Sequence, residues 1–386
     1  MSHLRVALTT TDDVYDTGGV ENSIMRIARG LAASGVEVDV VMLRLFERTV
    51  FQTGGSNGVT RLPSSVDGLR LYRITPWVGS EQAEQRWAEM HYSLLALARE
   101  RGYDLLQAFY ASVAGFPTVY AAELLGIPSV VSIRGNDLIA DVFHPQWFAQ
   151  LVWALQHTTQ LTAVSREGLE RARVLCSSPA KGRVILNSVR PQDFLDGVQE
   201  LALSRPVIGS LAVFRAKKGM EVLLSAFRLL LERIPSAHLL LVGYVVPTEQ
   251  RHFDELVAKY GLEGKFTLTG GIPHNESLRY LRAMDVFAFT SLHDGCPNAV
   301  LEAMLAGLPI VAASSGALPD MIEHGREGLL VQPGSAMELC EAIERIVGDG
   351  EMGKAFGERA RERVLRQFTL QRELREYVEV YRACGG

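Results

Sequence analysis

Residues 206–243 read PVIGSLAVFRAKKGMEVLLSAFRLLLERIPSAHLLLVG. Pro206 to Val213 is a largely apolar run of strand length, and a turn containing Lys217-Lys218-Gly219 follows it. Met220, Leu223, Leu224, Phe227, Leu230, Leu231 and Ile234 then recur at helical spacing, and Pro235 ends that helix. Leu239 to Gly243 begins the next strand. The chain opens in the same way. Leu4 to Leu8 reads as a strand, a loop rich in Thr, Asp and Gly ends in Gly18-Gly19, and Val20, Ile24, Ile27, Ala28 and Leu31 mark a helix that Gly35 closes before the strand Val36 to Leu43. Strands that are apolar throughout are buried on both faces, which implies parallel sheets covered by helices. The expected architecture is α/β with two Rossmann-like, doubly wound domains. Their boundaries are placed at 1–190 and 206–367, with a linker over 191–205, where periodicity weakens around Pro191 and Asp193, and a terminal segment at 368–386.

Length and composition agree. At roughly 100 to 200 residues per domain, 386 residues make two or three domains. Hydrophobic residues at 47% and charged residues at 22% exclude wholesale disorder. A net charge of −5 argues against a general nucleic-acid binder. Residues 1–190 hold 18 Lys and Arg against 18 Asp and Glu, so the first half is not a cationic surface for anionic lipid. Cys176, Cys296, Cys340 and Cys384 lie far apart without a CxxC pair, which fits a reducing compartment rather than a disulfide scaffold. MSHLRVALTT lacks the pattern of a signal peptide, and no run approaches the roughly 18 apolar residues of a membrane span. The expected setting is the cytoplasm, with peripheral contact at the inner membrane face left open. Phe143, Trp147, Phe148, Leu151, Val152 and Trp153 within 141–157 suit buried packing better than a membrane-surface helix, because Lys and Arg are lacking there.

Several chemistries are absent by motif. There is no GxxxxGK[ST] loop, no GxGxxG after either opening strand and no HExxH pair. The informative residues of an open α/β sheet then lie in the turns at the carboxyl ends of its strands.

One such turn stands out: Ser291 to Ala312 reads SLHDGCPNAVLEAMLAGLPIVA. An apolar strand, Val286 to Phe289, leads into a polar loop, and Pro297 suits the first position of a helix running from Asn298 to Ala306. That helix is apolar except for Glu302, and Asp294 stands eight positions earlier. A Glu in such a helix faces solvent, pairs with a cation, or accepts hydrogen bonds from a ligand's hydroxyls, as two adjacent ribose hydroxyls would offer. The helix N-terminus suits a phosphate or a polar sugar.

This segment resembles the signature of retaining glycosyltransferases of family four, enzymes with two Rossmann-like domains facing each other across a cleft (GT-B). In that family two acids, normally both Glu, are separated by seven positions; here they are Asp294 and Glu302. Gly18-Gly19-Val20-Glu21 is similar to the family's glycine-rich first loop, and Arg215 with Lys218 to its basic pair that grips a pyrophosphate. Thr269-Gly270-Gly271-Ile272-Pro273 and Glu327 to Val331 stand at the family's expected places, and the last helix, about Thr369 to Arg382, resembles the one that crosses back onto the first domain.

The resemblance implies a sugar transferred from a nucleoside-diphosphate sugar, of uridine or guanosine, to an acceptor hydroxyl, with retention and without a metal or resident cofactor. It assigns Asp294, Arg215 and Lys218 to catalysis. It assigns Gly18, Gly19, Gly271, Ile272, Gly295, Cys296, Pro297, Asn298 and Glu302, with the same three, to the donor. Arg134, Asn136 and Asp137, in the turn after the strand Ser129 to Ile133, are acceptor-side candidates; the family often has His where Arg134 stands. Each assignment has a plainer alternative: solvated turn charges for Arg215 and Lys218, a helix-entry turn for Gly18-Gly19, a helix cap for Asn136 or Asp137. The rival functions are a nucleotide-sugar epimerase, a sugar phosphorylase, and a non-catalytic nucleotide-sugar binder.

Overall fold

A computed structural model describes residues 4–11, 19–44, 58–64, 68–76, 83–176, 182–191 and 201–385. The chain divides into two units, one comprising 1–186 with 370–386 and the other 187–369.

In the first unit the strands are β1 (Arg5–Thr10), β2 (Glu37–Leu43), β3 (Val59–Leu62), β4 (Leu69–Ile74), β5 (Leu105–Phe109), β6 (Ser129–Ile133), β7 (Gln160–Ala163) and β8 (Arg183–Val184). They form one sheet in the order β3-β4-β2-β1-β5-β6-β7-β8. All pairings are parallel except β3 with β4, an edge hairpin that departs from the all-parallel expectation. Its connection is too short for a crossover, so the two strands can pair only antiparallel. Side chains of β1 alternate between two cores. Val6 and Leu8 pack with Ile24, Ile27 and Tyr377, whereas Ala7 packs with Leu94, Leu106 and Val119. Helices therefore cover both faces, as the continuous apolar strands require.

The second unit holds β9 (Val207–Phe214), β10 (His238–Val245), β11 (Phe266–Leu268), β12 (Val286–Phe289), β13 (Ile310–Ala313) and β14 (Gly328–Val331). Their order is β11-β10-β9-β12-β13-β14, parallel throughout. Successive strands run outward from β9 in one direction and from β12 in the other. The reversal lies between β9 and β12, so the turns leaving those two strands flank the crevice where such sheets take ligands.

The units meet in sequence at Leu186 and Asn187 rather than at 190. The side chain of Asn187 is held by the second unit, and the amide of Val189 donates to the carbonyl of Phe368. Residues 201–205, inside the expected linker, also fall in the second unit, and 192–200 lie outside the described residues. The helix Pro145–His157 buries Leu151, Ala154 and Leu155, but Phe143 and Phe148 are 80% and 43% exposed, contrary to the buried packing expected of them. The turn before the helix and its first turn face solvent, beyond the reach of the core. No helix among the described residues is long and apolar enough to cross a membrane.

The last helix, Leu370–Ala383, belongs to the first unit. Tyr377 and Tyr381 are buried in its core, and Glu373, fully buried, receives Nε and Nη2 of Arg26 at 3.1 and 3.2 Å. This two-pronged pair fastens the helix to Gly19–Ala33. Removing one partner of a buried ion pair strands the other charge, at a cost of about 3–5 kcal/mol. Glu373→Ala is therefore expected to lower the first unit's unfolding free energy in urea by about 3 kcal/mol; a loss near zero would contradict the clamp.

Candidate functional site

The site begins where β9 ends. Arg215 is extended, Ala216–Lys218 makes one tight 3-10 turn, and Gly219 takes φ +70° before the helix Met220–Arg233. A Cβ at Gly219 would stand 2.0 Å from the carbonyl oxygen of Thr290. Only glycine allows both that backbone angle and that approach. Three bonds stitch the turn to the end of β12. Thr290 Oγ1 donates to the Lys218 carbonyl at 3.0 Å, the Leu292 amide to the Lys217 carbonyl at 3.0 Å, and Ser291 Oγ to the same Lys217 oxygen at 3.3 Å.

This seam sets Lys218 against Asp294. Nζ of Lys218 is bonded to Oδ2 of Asp294, and it also lies 5.7 Å from the centre of the Phe289 ring. Both side chains are about four-fifths enclosed, at 21% and 17% exposure. The Asp294 loop is braced from β13, because Gly316, at φ +58°, passes so close that a Cβ would sit 1.8 Å from the Asp294 carbonyl oxygen. Arg215 stands three residues before Lys218, and its Nε is buried without a hydrogen-bond partner among the described residues. A buried, unsatisfied guanidinium donor is costly unless something accepts from it, so this one suits an anion.

Downstream, Gly295, Cys296 and Pro297 are buried and lead into the helix Asn298–Leu305. Pro297 is the N-cap, one position earlier than expected, and its side chain offers no cap, which leaves first-turn amides and the dipole for a ligand. Asn187 was not anticipated. It is 4% exposed, and its Nδ2 donates to the Cys296 carbonyl at 2.8 Å and to Asn298 Oδ1 at 3.0 Å, fixing the turn that enters the helix. No local pattern marks it, since its partners lie 109 and 111 residues away. The Cys296 thiol is turned inward, 3.8 Å from Met321 Sδ.

Glu302 faces neither solvent nor a basic side chain of its own helix. It is 5% exposed; Oε1 accepts from His274 Nε2 at 2.8 Å, and Oε2 is buried with no hydrogen-bond partner among the described residues. His274 also escaped the sequence reading, although it directly follows the expected loop 269–273. That loop is tied to β10, for the Gly243 amide donates to Thr269 Oγ1 at 2.9 Å and Gly270 bridges to Gly243. Gly271 is exposed and Ile272 half-buried beside it. The second unit thus draws Arg215, Lys218, Asp294, the 295–298 turn, Glu302 and the 271–274 segment around one switch point. A separate hollow of 440 Å³ touches the same turns at Ala216, Gly219 and Leu292. Neither Lys218, Asp294 nor Glu302 lines it. Among the described residues, no group of three or more His, Cys, Asp or Glu is placed to hold a metal ion.

The remaining candidates lie in the first unit. Gly18 is outside the described residues, and Gly19 is the first residue of its helix, with Ser23 Oγ donating to its carbonyl at 2.8 Å. Arg134 is 7% exposed, its guanidinium 5.4 Å from the centre of the Phe109 ring. Asp137 is fully buried, and its Oδ2 accepts from the amides of Arg134 at 2.9 Å and Ala111 at 3.3 Å. Both side chains are thus turned into the protein, and Asp137 joins the turn after β6 to the end of β5 instead of presenting a carboxylate. Asn136 opens that turn; its side chain lies outside the described residues. Burial raises the Asp137 pKa to about 6, with the amide bonds opposing. A carboxyl whose folded pKa exceeds its unfolded value contributes stability fully at low pH and loses it as pH rises through the folded value. Asp137→Asn keeps the acceptor and removes the titration. It is expected to match the parent below pH 4 and to gain on it between pH 4 and 7 in urea unfolding; a difference independent of pH would contradict this.

Two family models match: "Glycosyltransferase Family 4" over residues 17–193 and "Glycosyl transferases group 1" over 192–363. The chain is 26% identical over 351 residues to the 2-deoxystreptamine glucosyltransferase of Streptomyces kanamyceticus, covering 84% of this chain and 89% of the relative. Identity to the D-inositol 3-phosphate glycosyltransferase of a Nocardioides species is 24%, over 95% and 85% of the two chains. Among solved structures, sucrose-phosphate synthase of Thermosynechococcus elongatus superposes with a TM-score of 0.79 at 21% identity, over 98% of each chain. Anabaena HepE in complex with UDP-glucose gives 0.78 at 19% identity, over 99% and 100%. These likenesses confirm the GT-B fold class of two Rossmann-like domains.

Proposed function

The chain belongs to the group 1 glycosyltransferases, and from that premise we propose that it moves a sugar from a nucleoside-diphosphate donor to an acceptor hydroxyl, with retention at the anomeric carbon. The observation that carries the donor assignment is the state of Glu302: a buried carboxylate with one oxygen held by His274 and the other without a partner among the described residues. Two adjacent hydroxyls of a ribose satisfy it. That HepE was solved with UDP-glucose supports a nucleoside-diphosphate donor. The base is proposed as uridine or guanosine.

The diphosphate is assigned to Arg215, Lys218 and the N-terminus of Asn298–Leu305. As the bond between the anomeric carbon and the leaving phosphate breaks, charge grows on that phosphate; a guanidinium, an ammonium and fixed amides stabilise it without reorganising. In the front-face course implied by the family resemblance, a donor phosphate oxygen takes the acceptor's proton. The new glycosidic bond then forms on the face the leaving group vacates. Asp294 hydrogen-bonds the donor sugar together with the turn amides of Gly295 to Asn298, and Gly271-Ile272 borders the nucleoside. Lys218 must first exchange Asp294 for the diphosphate, which frees the carboxylate for the sugar. Because cations carry the leaving group's charge, the reaction is assigned no metal. The acceptor is assigned to the first unit.

The test is binding followed by turnover. A ligand present at 100 times its Kd stabilises the fold by about 2.7 kcal/mol, so UDP or GDP is expected to raise the melting temperature. Glu302→Gln and Lys218→Ala should each abolish most of that shift while folding normally. Loss of a leaving-group contact of the Lys218 kind typically lowers kcat by roughly 10²–10³-fold. An unaltered shift in both variants would contradict the donor assignment. Added chelator is expected to leave turnover unchanged, and strict dependence on a divalent ion would overturn the cation-only account of the leaving group.

A further inference from the structure

We infer that His274 is a positioning residue for nucleoside recognition: its Nε2–H fixes the plane of the Glu302 carboxylate, and thereby sets how strongly the site distinguishes a ribose from a sugar lacking its hydroxyls. The inference rests on the assignment of Glu302 to the ribose.

The terminal torsion of a Glu side chain has broad, shallow minima, so an unanchored carboxylate does not hold its oxygens in one direction. Among the described residues, Glu302 is anchored at Oε1 alone, by a 2.8 Å bond from His274 Nε2. A carboxylate only accepts, so this bond places the imidazole proton on Nε2. With Oε1 held, Oε2 points one way, and the carboxylate keeps lone pairs on both atoms for two neighbouring hydroxyls.

His274 is itself held in place. It is the first residue of the helix His274–Leu281, its carbonyl accepts from Ser277 Oγ at 2.7 Å, and the Glu276 and Ser277 amides both return to the Pro273 carbonyl at 3.0 Å. The imidazole is 47% exposed, whereas the carboxylate it orients is 6% exposed. Its exposure means that truncating it leaves no core cavity, while the bond to Glu302 is lost. The His also links the loop bearing Gly271 and Ile272 to the helix bearing Glu302, two elements that no short stretch of sequence joins.

The experiment measures the affinity of UDP and of 2′,3′-dideoxy-UDP by calorimetry for the parent, His274→Ala, His274→Gln and Glu302→Gln, with GDP and its dideoxy analogue used if the parent prefers guanosine. The parent is expected to prefer the ribonucleotide. His274→Ala should weaken it roughly ten-fold, the size of one hydrogen bond to a charged group, and leave the dideoxy analogue nearly unchanged, so that the ratio collapses. In His274→Gln the amide nitrogen replaces Nε2 and should restore much of the ratio. A purely structural role would weaken both nucleotides alike in His274→Ala, which overturns the inference. Collapse of the ratio in Glu302→Gln with none in His274→Ala overturns it too, while leaving the ribose assignment standing. No collapse in Glu302→Gln overturns both.

Discussion

The second unit is organised around one close approach: the turn after β9 lies directly on the end of β12, with Gly219 against the Thr290 carbonyl. Everything chemical follows from that contact. It brings a cation from one turn and an acid from the next into an ion pair, although 76 residues separate Lys218 from Asp294. It happens at the place where strand order reverses, which is where such sheets take ligands. The neighbouring helix adds its N-terminus and Glu302, and the 269–274 segment closes the group through His274.

The charges of this site satisfy one another, but incompletely. Lys218 and Asp294 are paired, whereas Arg215 Nε and Glu302 Oε2 are buried without hydrogen-bond partners among the described residues. A single donor molecule carries both complements, anionic oxygens for the guanidinium and hydroxyls for the carboxylate. Leaving polar atoms unsatisfied until substrate arrives lowers stability and raises discrimination, because a ligand lacking those groups leaves the cost in place. Asp294 differs in kind from Glu302. Its carboxylate is occupied by Lys218, so in the proposed course its release is coupled to phosphate binding.

Much of this was legible in the sequence, for reasons that can be named. β9, β10 and β12 are short apolar runs bounded by Gly, Pro or charge, and the helix Met220–Arg233 carries a clear stripe, so the repeated α/β unit could be read directly. The acids, the cations and the glycines stand in turns, where local signals are strong. What escaped reading depends on distant packing. Asn187 and His274 acquire meaning only from partners brought near by the fold, and Asp137 looks like a surface cap until the amide of Ala111 is seen to claim it. Phe143 and Phe148 failed for the converse reason, since an apolar residue says nothing about whether the core extends far enough to cover it.

The most direct test of the central claim is a crystal structure of the chain with UDP or GDP bound. The account predicts a diphosphate oxygen at hydrogen-bond distance from Lys218 Nζ, the Asp294 carboxylate released from that nitrogen, and a ribose hydroxyl on Glu302 Oε2. A nucleotide bound elsewhere in the chain, with the Lys218–Asp294 pair intact and Glu302 Oε2 still without a partner, would contradict it.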